Sequence, residues 1–304
     1  MKKKECLLIV GGTGFIGYHL AKKCIKNFKV LSVSKKKPNR LRKINFVKYL
    51  NFDISKKKNF YKLNSFKIDY VVNCGGNVNH LQKKKTYESH FIGVKNLFDY
   101  FFKKDIKKFI QIGSSSEYGK VSSPQNEISL CRPKLIYGKS KMKASKFLLD
   151  KFKRKNFPAA ILRFYQVYGT HQDKNRLIPF AITSSLKNKI FPCSAGLQKR
   201  DFLHIEDAIK AITFALKSSK VEGKIINIGF GKSYKVKEII NFISKNIKKG
   251  KPDFNKIKLR IDEGFDIYPN NNLAKKLLYW SPKIKLKRGL LKTINFYKNN
   301  VSKK

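Results

Sequence analysis

A glycine-rich turn near the N-terminus constrains the fold more than any other part of the sequence. Gly11, Gly14 and Gly17 follow an apolar run at residues 7–10 and open an amphipathic stretch at residues 15–26. Glycines at this spacing allow a tight turn from strand to helix, let the backbone approach a pyrophosphate, and let the helix pack closely on a sheet. The N-terminal amides of the helix then face the anion. The motif therefore predicts a dinucleotide-binding turn at the start of a Rossmann domain.

Short apolar runs alternate with longer helical patterns through the first half of the chain, which is typical of parallel βαβ units. We predict long helices at about 86–103 and at 137–155. The predicted strands are residues 7–10, 30–33, 46–49, 70–73, 109–112, 159–163 and 224–228. The expected fold class is α/β, a Rossmann doubly wound parallel sheet with a smaller interleaved C-terminal substrate lobe.

The regular alternation stops after Tyr168, where the loops become longer. We predict that residues 1–168 form the NAD(P)-binding Rossmann domain. A late return of the chain to this domain is expected around 201–230, because a further core strand follows there. Residues 169–200 and 231–304 are predicted to form the substrate-binding lobe.

The chain is strongly basic, with 69 Lys and Arg residues against 19 Asp and Glu residues and a net charge of +50. Lysine runs recur along the whole chain, at residues 2–4, 35–37, 56–58 and 83–85, rather than marking one tail or helix. Arginine, the residue that recognises phosphates and bases in a bidentate manner, accounts for nine of the 69. We therefore expect no nucleic acid as the main partner, but an electric field that attracts anionic substrates.

The cysteines and the N-terminus indicate the compartment. The five cysteines are scattered without a CxxC pair, which is typical of reduced thiols in a cytoplasmic protein. The N-terminus lacks the apolar stretch and cleavage site of a signal peptide, and no apolar run approaches the roughly 20 residues that span a bilayer. We expect a cytoplasmic protein with no membrane partner. No metal site is expected either, since His80, His171 and His204 lack ligand spacing.

The residues after the second strand bear on the choice of dinucleotide. An acidic residue at this position usually binds the ribose hydroxyls of NAD. Here Ser34 and Lys35 are followed by two more lysines, which favours the 2′-phosphate of NADP, with NAD as the alternative. Asp53 and Ile54, after the third strand, are expected to meet the adenine. The residues that we assign to the cofactor are Gly11, Gly14, Phe15, Ile16, Gly17, Ser34, Lys35, Asp53, Ile54, Cys74, Gly75, Gly76, Tyr137 and Lys141.

A tyrosine and a lysine four residues apart are candidates for proton transfer. Tyr137 and Lys141 share one face of the predicted helix at 137–155, a spacing that an ordinary surface helix of so basic a chain also shows. A nearby ammonium group stabilises a phenolate, so Tyr137 could exchange a proton near neutral pH. Ser114 lies at the carboxyl end of the fifth strand, where open α/β sheets bind their ligands. These three residues are predicted to hold a reacting alcohol or ketone.

Together these motifs resemble the extended short-chain dehydrogenase/reductase family, and within it the nucleotide-sugar branch of NAD-dependent epimerases and dehydratases. The resemblance covers nearly the whole chain and is more specific for the family than for the reaction. It rests on residues 11–17, 113–119, 137–141, 162–169, 177–180, 199–207 and 278–282. It implies an enzyme that acts on a nucleoside diphosphate sugar with NAD(P).

The resemblance also implies a role for each candidate residue. Tyr137 is implied as the acid or base, Lys141 as the residue that tunes it and binds the nicotinamide ribose, and Ser114 as the residue that orients the sugar oxygen. The implied substrate-binding residues are Ser115, Gln166 and Arg200. Arg200 resembles the arginine that grips the diphosphate, and the alternative for it is a surface salt bridge with a neighbouring aspartate.

Two serines separate this chain from one branch of the family. Dehydratases carry an Asp-Glu pair directly after the catalytic hydroxyl residue, where this chain has Ser115 and Ser116. We therefore do not expect a 4,6-dehydratase. His90 stands where relatives commonly carry an asparagine, and no consequence of this change is predicted.

Two reactions at C4 of the sugar remain. The leading hypothesis is a 4-keto-sugar reductase that uses NADPH, with Tyr137 as the acid. The alternative is a 4-epimerase with tightly bound NAD. A remote alternative is a non-catalytic protein that binds RNA or a partner, but such a protein does not need a complete set of Ser114, Tyr137 and Lys141. Family members pair two long helices between subunits, so we expect a homodimer through the helices at about 86–103 and 137–155.

Overall fold

The computed structural model describes residues 4–77, 81–258 and 264–301, so His80 lies outside the described residues. The strands are β1 (Cys6–Val10), β2 (Lys29–Ser34), β3 (Val47–Asn51), β4 (Tyr70–Asn73), β5 (Lys108–Ser114), β6 (Ala159–Phe164), β7 (Gln166–Tyr168), β8 (Ile190–Pro192), β9 (Lys199–His204), β10 (Ile225–Ile228), β11 (Ser233–Lys235), β12 (Lys251–Asp253) and β13 (Asp266–Ile267). The α-helices are α1 (Phe15–Cys24), α2 (Lys83–Tyr87), α3 (Gly93–Phe101), α4 (Ile136–Lys155), α5 (Leu177–Leu186), α6 (Ile205–Lys217), α7 (Val236–Ile247), α8 (Asn272–Leu278) and α9 (Leu286–Val301).

Seven parallel strands form the central sheet, in the order β10-β6-β5-β4-β1-β2-β3. The strand order reverses between β1 and β4, which is the switch point where doubly wound sheets bind their ligands. The predicted Rossmann fold class is confirmed. The third strand begins one residue later than predicted, because Phe46 has a φ of 67° and its side chain is 92% exposed.

The sheet is buried on both faces, and the alternation of side chains along each strand divides the core in two. On β1, Leu7 and Ile9 pack in one apolar cluster with residues of α1 and α6. Leu8 and Val10 point the other way, into a cluster with residues of α3 and α4. The two helix pairs therefore cover opposite faces, and α4 lies over β5, the strand that ends at Ser114.

The second half of the chain contributes to both parts of the fold. Strand β10 pairs with β6 in the central sheet, whereas β7, β11 and β13 each pair with β9 in a smaller sheet. Helices α5, α7 and α9 share a third apolar cluster on the side of the smaller sheet. The division of the chain after residue 168 stays a prediction. Among the described residues, no helix is long and apolar enough to cross a bilayer.

The predicted helix at 86–103 is present but interrupted. Its chain runs from α2 through one π-helical turn, Glu88–Ile92, into α3. Such turns are rare within α-helices and often mark functional sites. This turn carries His90.

Gly17 offers a test of how tightly α1 packs on the glycine turn. A Cβ at this position would overlap the carbonyl oxygen of Gly11. We expect Gly17→Ala to lower the free energy of unfolding by about 1–3 kcal/mol, the usual effect of overpacking. The exposed Lys22 of the same helix provides the control, since Lys22→Ala should stay within about 0.5 kcal/mol of the parent. Urea denaturation measures both, and an unchanged midpoint for Gly17→Ala would contradict the packing described.

Candidate active site

The glycine turn forms a cradle between β1 and α1. Gly11 has a φ of 77°, and its amide donates to the Val33 carbonyl at 2.7 Å. A Cβ on Gly11 would lie 2.8 Å from the amide nitrogen of Gly75, so the backbone after β4 closes against the turn. Gly14 precedes α1 without a side-chain cap. The first amides of α1, at Phe15 and beyond, are therefore suited to bind an anion such as a pyrophosphate.

The residues predicted to bind the adenosine end lie after β2 and β3. Ser34 Oγ accepts a hydrogen bond from the Thr13 amide at 3.3 Å. Lys35 Nζ pairs with Asp53 Oδ2 at 2.7 Å, and Asp53 also accepts from the Ser55 amide. Burial tends to raise the pKa of Asp53, but these hydrogen bonds lower it overall. The charge of Lys35 is therefore balanced within the protein.

A basic pocket opens beside this ion pair and the glycine turn. Its volume is about 270 Å³. It is lined by Thr13, Lys36, Lys37, Pro38, Lys43, Tyr49, Leu50 and Asn51. The lining lysines, rather than Lys35, present their charge to this space.

The backbone after β4 lies between the glycine turn and the π-helical turn. The Gly75 amide donates to Asn73 Oδ1 at 3.0 Å, and burial raises the pKa of the Cys74 thiol to about 12, so the thiol stays neutral. Gly76 has a φ of 155°, and a Cβ there would overlap the imidazole of His90. Ile54 is buried on the other side, where the Asn96 amide group donates to its carbonyl at 2.9 Å. The backbone at residues 74–76 thus contacts both the glycine turn and the π-helical turn, and we call this region the cofactor cleft.

Ser114 and Tyr137 meet where β5 ends and α4 begins. Ser114 Oγ accepts from the Ser116 amide at 3.2 Å, which leaves its proton free to be donated to the Tyr137 hydroxyl. Gly138 permits this approach, because a Cβ there would overlap the Ser116 carbonyl oxygen. Burial raises the pKa of Tyr137, and the hydrogen bond from Ser114 opposes this rise. The charges of Glu117 and Arg176 also act on Tyr137, and they raise and lower its pKa respectively.

Lys141 lies one turn after Tyr137 and is buried. Its Nζ donates to the Ile112 carbonyl of β5 at 2.7 Å. Burial lowers its pKa to about 8, and the charge of Glu117 opposes this decrease. Lys141 is thus a buried ammonium whose charge is lost under mildly alkaline conditions.

Two residues that the sequence reasoning missed complete the site. Glu117 is fully buried, its Oε1 accepts from the Ser114 amide at 2.9 Å, and its Oε2 accepts from Arg163 Nε at 2.9 Å. The signal was present, since Ser-x-x-Glu is the spacing of a capping box. His90 packs edge to face on Tyr137, with 5.0 Å between ring centroids. No local pattern predicts this second contact, which depends on the π-helical turn.

The predicted substrate-binding residues lie on different elements. Ser115 is half-buried beside Ser114, and Gln166 is exposed on β7. Arg200 on β9 is buried, and its Nη1 donates to the carbonyls of Lys199 at 2.8 Å and Phe265 at 3.2 Å. These bonds hold the guanidinium of Arg200 on the smaller sheet.

The parallel sheet, the glycine cradle and the Ser–Tyr–Lys set are those of an enzyme of the short-chain dehydrogenase/reductase type. The chain belongs to the NAD dependent epimerase/dehydratase family, whose sequence profile matches residues 7–229. The resemblance found in the sequence is therefore confirmed. A putative UDP-glucose 4-epimerase of Methanocaldococcus jannaschii is 30% identical over 309 residues, which cover 97% of this chain and 99% of that protein.

Two solved structures are similar over the same length. A UDP-glucose 4-epimerase of Thermotoga maritima with UDP-glucose superposes with a TM-score of 0.92 at 20% identity, covering 97% of this chain and 99% of that one. A UDP-glucuronic acid 4-epimerase of Bacillus cereus, in complex with UDP-glucuronic acid and NAD, gives a TM-score of 0.85 at 25% identity, again with 97% and 99% covered. The second relative binds NAD at a fold that this chain shares.

Lys141 provides a prediction about stability. Its pKa of about 8 in the folded protein lies below the ordinary 10.5, so the folded state disfavours its charged form. We expect Lys141→Met to raise the free energy of unfolding at pH 7 by about 1–3 kcal/mol. The gain should be complete below pH 8 and should disappear between about 8 and 10.5.

The control for this prediction is Lys146→Met, because Lys146 is exposed on the same helix. Its effect on unfolding should not change with pH over the same range. Chemical denaturation at several pH values measures both variants. A Lys141→Met protein that is less stable than the parent at pH 7 would refute the argument from burial.

Proposed function

We propose that this protein reduces the 4-keto group of a nucleoside diphosphate sugar with NADPH. The observation that carries the proposal is the contact between Ser114 and Tyr137, with Lys141 buried one turn away. A hydroxyl pair of this kind binds a carbonyl oxygen and supplies a proton to it. The side chains Ser115 and Ser116 do not provide the carboxylates that elimination of water requires.

The cleft fits a nicotinamide dinucleotide, since glycines leave room for its pyrophosphate and α1 presents uncapped amides to it. When bound, the cofactor supplies the hydride for the reduction. Ser114 donates a hydrogen bond to the ketone oxygen, which polarises the carbonyl group. Tyr137 then gives its proton to the developing alkoxide, and the ammonium of Lys141 stabilises the phenolate that remains. Arg200 and Gln166 are proposed to bind the substrate phosphates.

The preference for NADPH is supported by the residues after β2. This region lacks the acidic residue that binds the ribose hydroxyls of NAD, and Asp53 is neutralised by Lys35. Lys36, Lys37 and Lys43 line the adjacent pocket. A 2′-phosphate is an anion that this pocket would attract.

The second candidate function is 4-epimerisation with tightly bound NAD. It is favoured by the relative of Methanocaldococcus jannaschii, which is named a putative UDP-glucose 4-epimerase, and by the Bacillus cereus epimerase that binds NAD. In this reaction Tyr137 would first accept the proton of the C4 hydroxyl and later return it. Because reduction and epimerisation need the same three residues, Ser114, Tyr137 and Lys141, the two reactions are distinguished by their sugar products.

We also propose that two copies pair through the helical stretch at residues 86–103 and through α4. The outer side of these helices carries aromatic rings that are incompletely covered, and Phe102 is 39% exposed. Lys143 and Lys151 lie over rings of this surface. Such a ring-rich helix surface suits the self-complementary contact of a two-fold dimer.

Incubation with a panel of nucleotide sugars and their 4-keto forms, with NADPH or NADH, tests the function. We expect mass spectrometry to show a gain of two hydrogens with NADPH. Tyr137→Phe should lower kcat by about 10²- to 10⁴-fold, because it removes the acid. Tyr61→Phe, at an exposed tyrosine, serves as the control and should not change kcat.

The products in this panel decide between the candidates. A new isomer of unchanged mass, formed without added NADPH, would replace the reductase by the epimerase. Loss of water would contradict both candidates and the interpretation of Ser115 and Ser116.

The basic pocket generates a separate prediction. We expect the triple variant Lys36→Ala, Lys37→Ala, Lys43→Ala to raise the Kd for NADPH by about tenfold or more and to leave the Kd for NADH nearly unchanged. Lys58→Ala, at an exposed lysine away from the pocket, should change neither value. Fluorescence titration measures both affinities. Equal losses for the two cofactors would mean that the pocket does not hold the 2′-phosphate.

A further inference from the structure

We propose that Glu117 is a positioning residue. It holds Ser114 within hydrogen-bonding distance of Tyr137, through a buried network with Arg163 and Ser145. The inference rests on the proposed function, because it assigns Glu117 its effect through the Ser114–Tyr137 pair. Glu117 itself touches neither the ketone nor the cofactor cleft described above.

The network joins the elements that must meet for the site to form. Glu117 Oε1 accepts from the Ser114 amide at the end of β5 at 2.9 Å. Its Oε2 accepts from Arg163 Nε on β6 at 2.9 Å and from Ser145 Oγ on α4 at 2.8 Å. All three partners of Glu117 thus belong to different elements, and α4 also carries Tyr137. One carboxylate fixes the strand end and the catalytic helix relative to each other.

The chemistry of these contacts requires a carboxylate. The Ser114 amide, Arg163 Nε and Ser145 Oγ are all placed as donors, and an ionised carboxylate accepts at both oxygens. An amide at residue 117 would place an N–H group against one of these donors. Gly113 is part of the same arrangement, because a Cβ there would lie 2.7 Å from Glu117 Oε1. Glu117→Gln therefore disturbs the network without changing its volume.

The charge of Glu117 also reaches the proton-transfer groups. The groups that act on Tyr137 come from several elements: Ser114 from the end of β5, Glu117 from the turn after it, Arg176 from the start of α5, and His90 from the π-helical turn. Glu117 raises the pKa of both Tyr137 and Lys141. Arg163 pairs with the same carboxylate and lies over the ring of Tyr118.

Three variants separate position from charge. Glu117→Gln alters both. Ser145→Ala removes one hydrogen bond and keeps the charge. Ser140→Ala is the matched control, because its buried hydroxyl bonds to the Ile136 carbonyl within α4 at 2.7 Å and is outside the network. Thermal unfolding of each protein establishes that it is folded.

The first readout needs neither substrate nor cofactor. The phenolate absorbance of Tyr137 is titrated as the difference between each protein and the same protein with Tyr137→Phe, which isolates one of 14 tyrosines. We expect the midpoint for Tyr137 to move to lower pH in Glu117→Gln and to stay in place in Ser145→Ala and Ser140→Ala. A shift in Glu117→Gln alone shows that the carboxylate charge acts on Tyr137, whereas the effect on position is reported by the split between kcat and KM.

The second readout is turnover of the substrate found by the panel. We expect Glu117→Gln to lower kcat by about 10- to 100-fold with KM nearly unchanged, since misplacement of a reacting group acts on the transition state. Ser145→Ala should lower kcat by about two- to tenfold, and Ser140→Ala should match the parent.

The outcomes separate this inference from the proposed function. A folded Glu117→Gln with the parent midpoint and kcat would overturn the inference. If Glu117→Gln does not fold, Ser145→Ala decides, and a kcat equal to that of Ser140→Ala would overturn it. If Ser114→Ala and Tyr137→Phe retain full turnover, the proposed function fails, while the titration still tests whether Glu117 acts on Tyr137.

Discussion

The close approach of α4 to the turn after β5 is the constraint on which the site depends. Gly138 allows it, because any side chain there would overlap the Ser116 carbonyl oxygen. The approach brings the Tyr137 hydroxyl to Ser114 and places Lys141 under the end of β5, where it binds the Ile112 carbonyl. The parallel order of the sheet then sets these groups beside the glycine cradle, since both lie at the carboxyl ends of strands.

Burial of charge is the second theme of this site. Lys141, Glu117 and Arg163 are all buried, and each has a hydrogen-bonding partner. Glu117 and Arg163 form an ion pair, whereas the burial of Lys141 costs free energy and lowers its pKa to about 8. The charge of Glu117 in turn raises the pKa of both Tyr137 and Lys141. These buried charges thus define the electrostatic environment of the Ser114–Tyr137 pair.

Much of this arrangement could be predicted from the sequence. The glycine turn and the apolar runs are local patterns, and the confirmed sheet follows from them because parallel strands buried on both faces are continuously apolar. The positions of Ser114, Tyr137 and Lys141 follow from strand ends and helical spacing. The pairing of Lys35 with Asp53 could not be predicted, because the two residues follow different strands and leave no local pattern in the sequence. The sequence alone therefore indicated that the charge of Lys35 was available to bind a phosphate.

The role of Glu117 and the contact of His90 with Tyr137 were missed for a similar physical reason. Both depend on where distant elements meet, and periodicity describes each element only by itself. The central claim is that Tyr137 protonates a sugar oxygen while hydride reaches the carbon that bears it. Reduction of the 4-keto substrate with NADPH that carries deuterium at both C4 positions of the nicotinamide, followed by mass spectrometry and NMR of the product, tests this most directly. We predict one deuterium at C4 for each cofactor oxidised, whereas a product without deuterium at C4 would contradict the account.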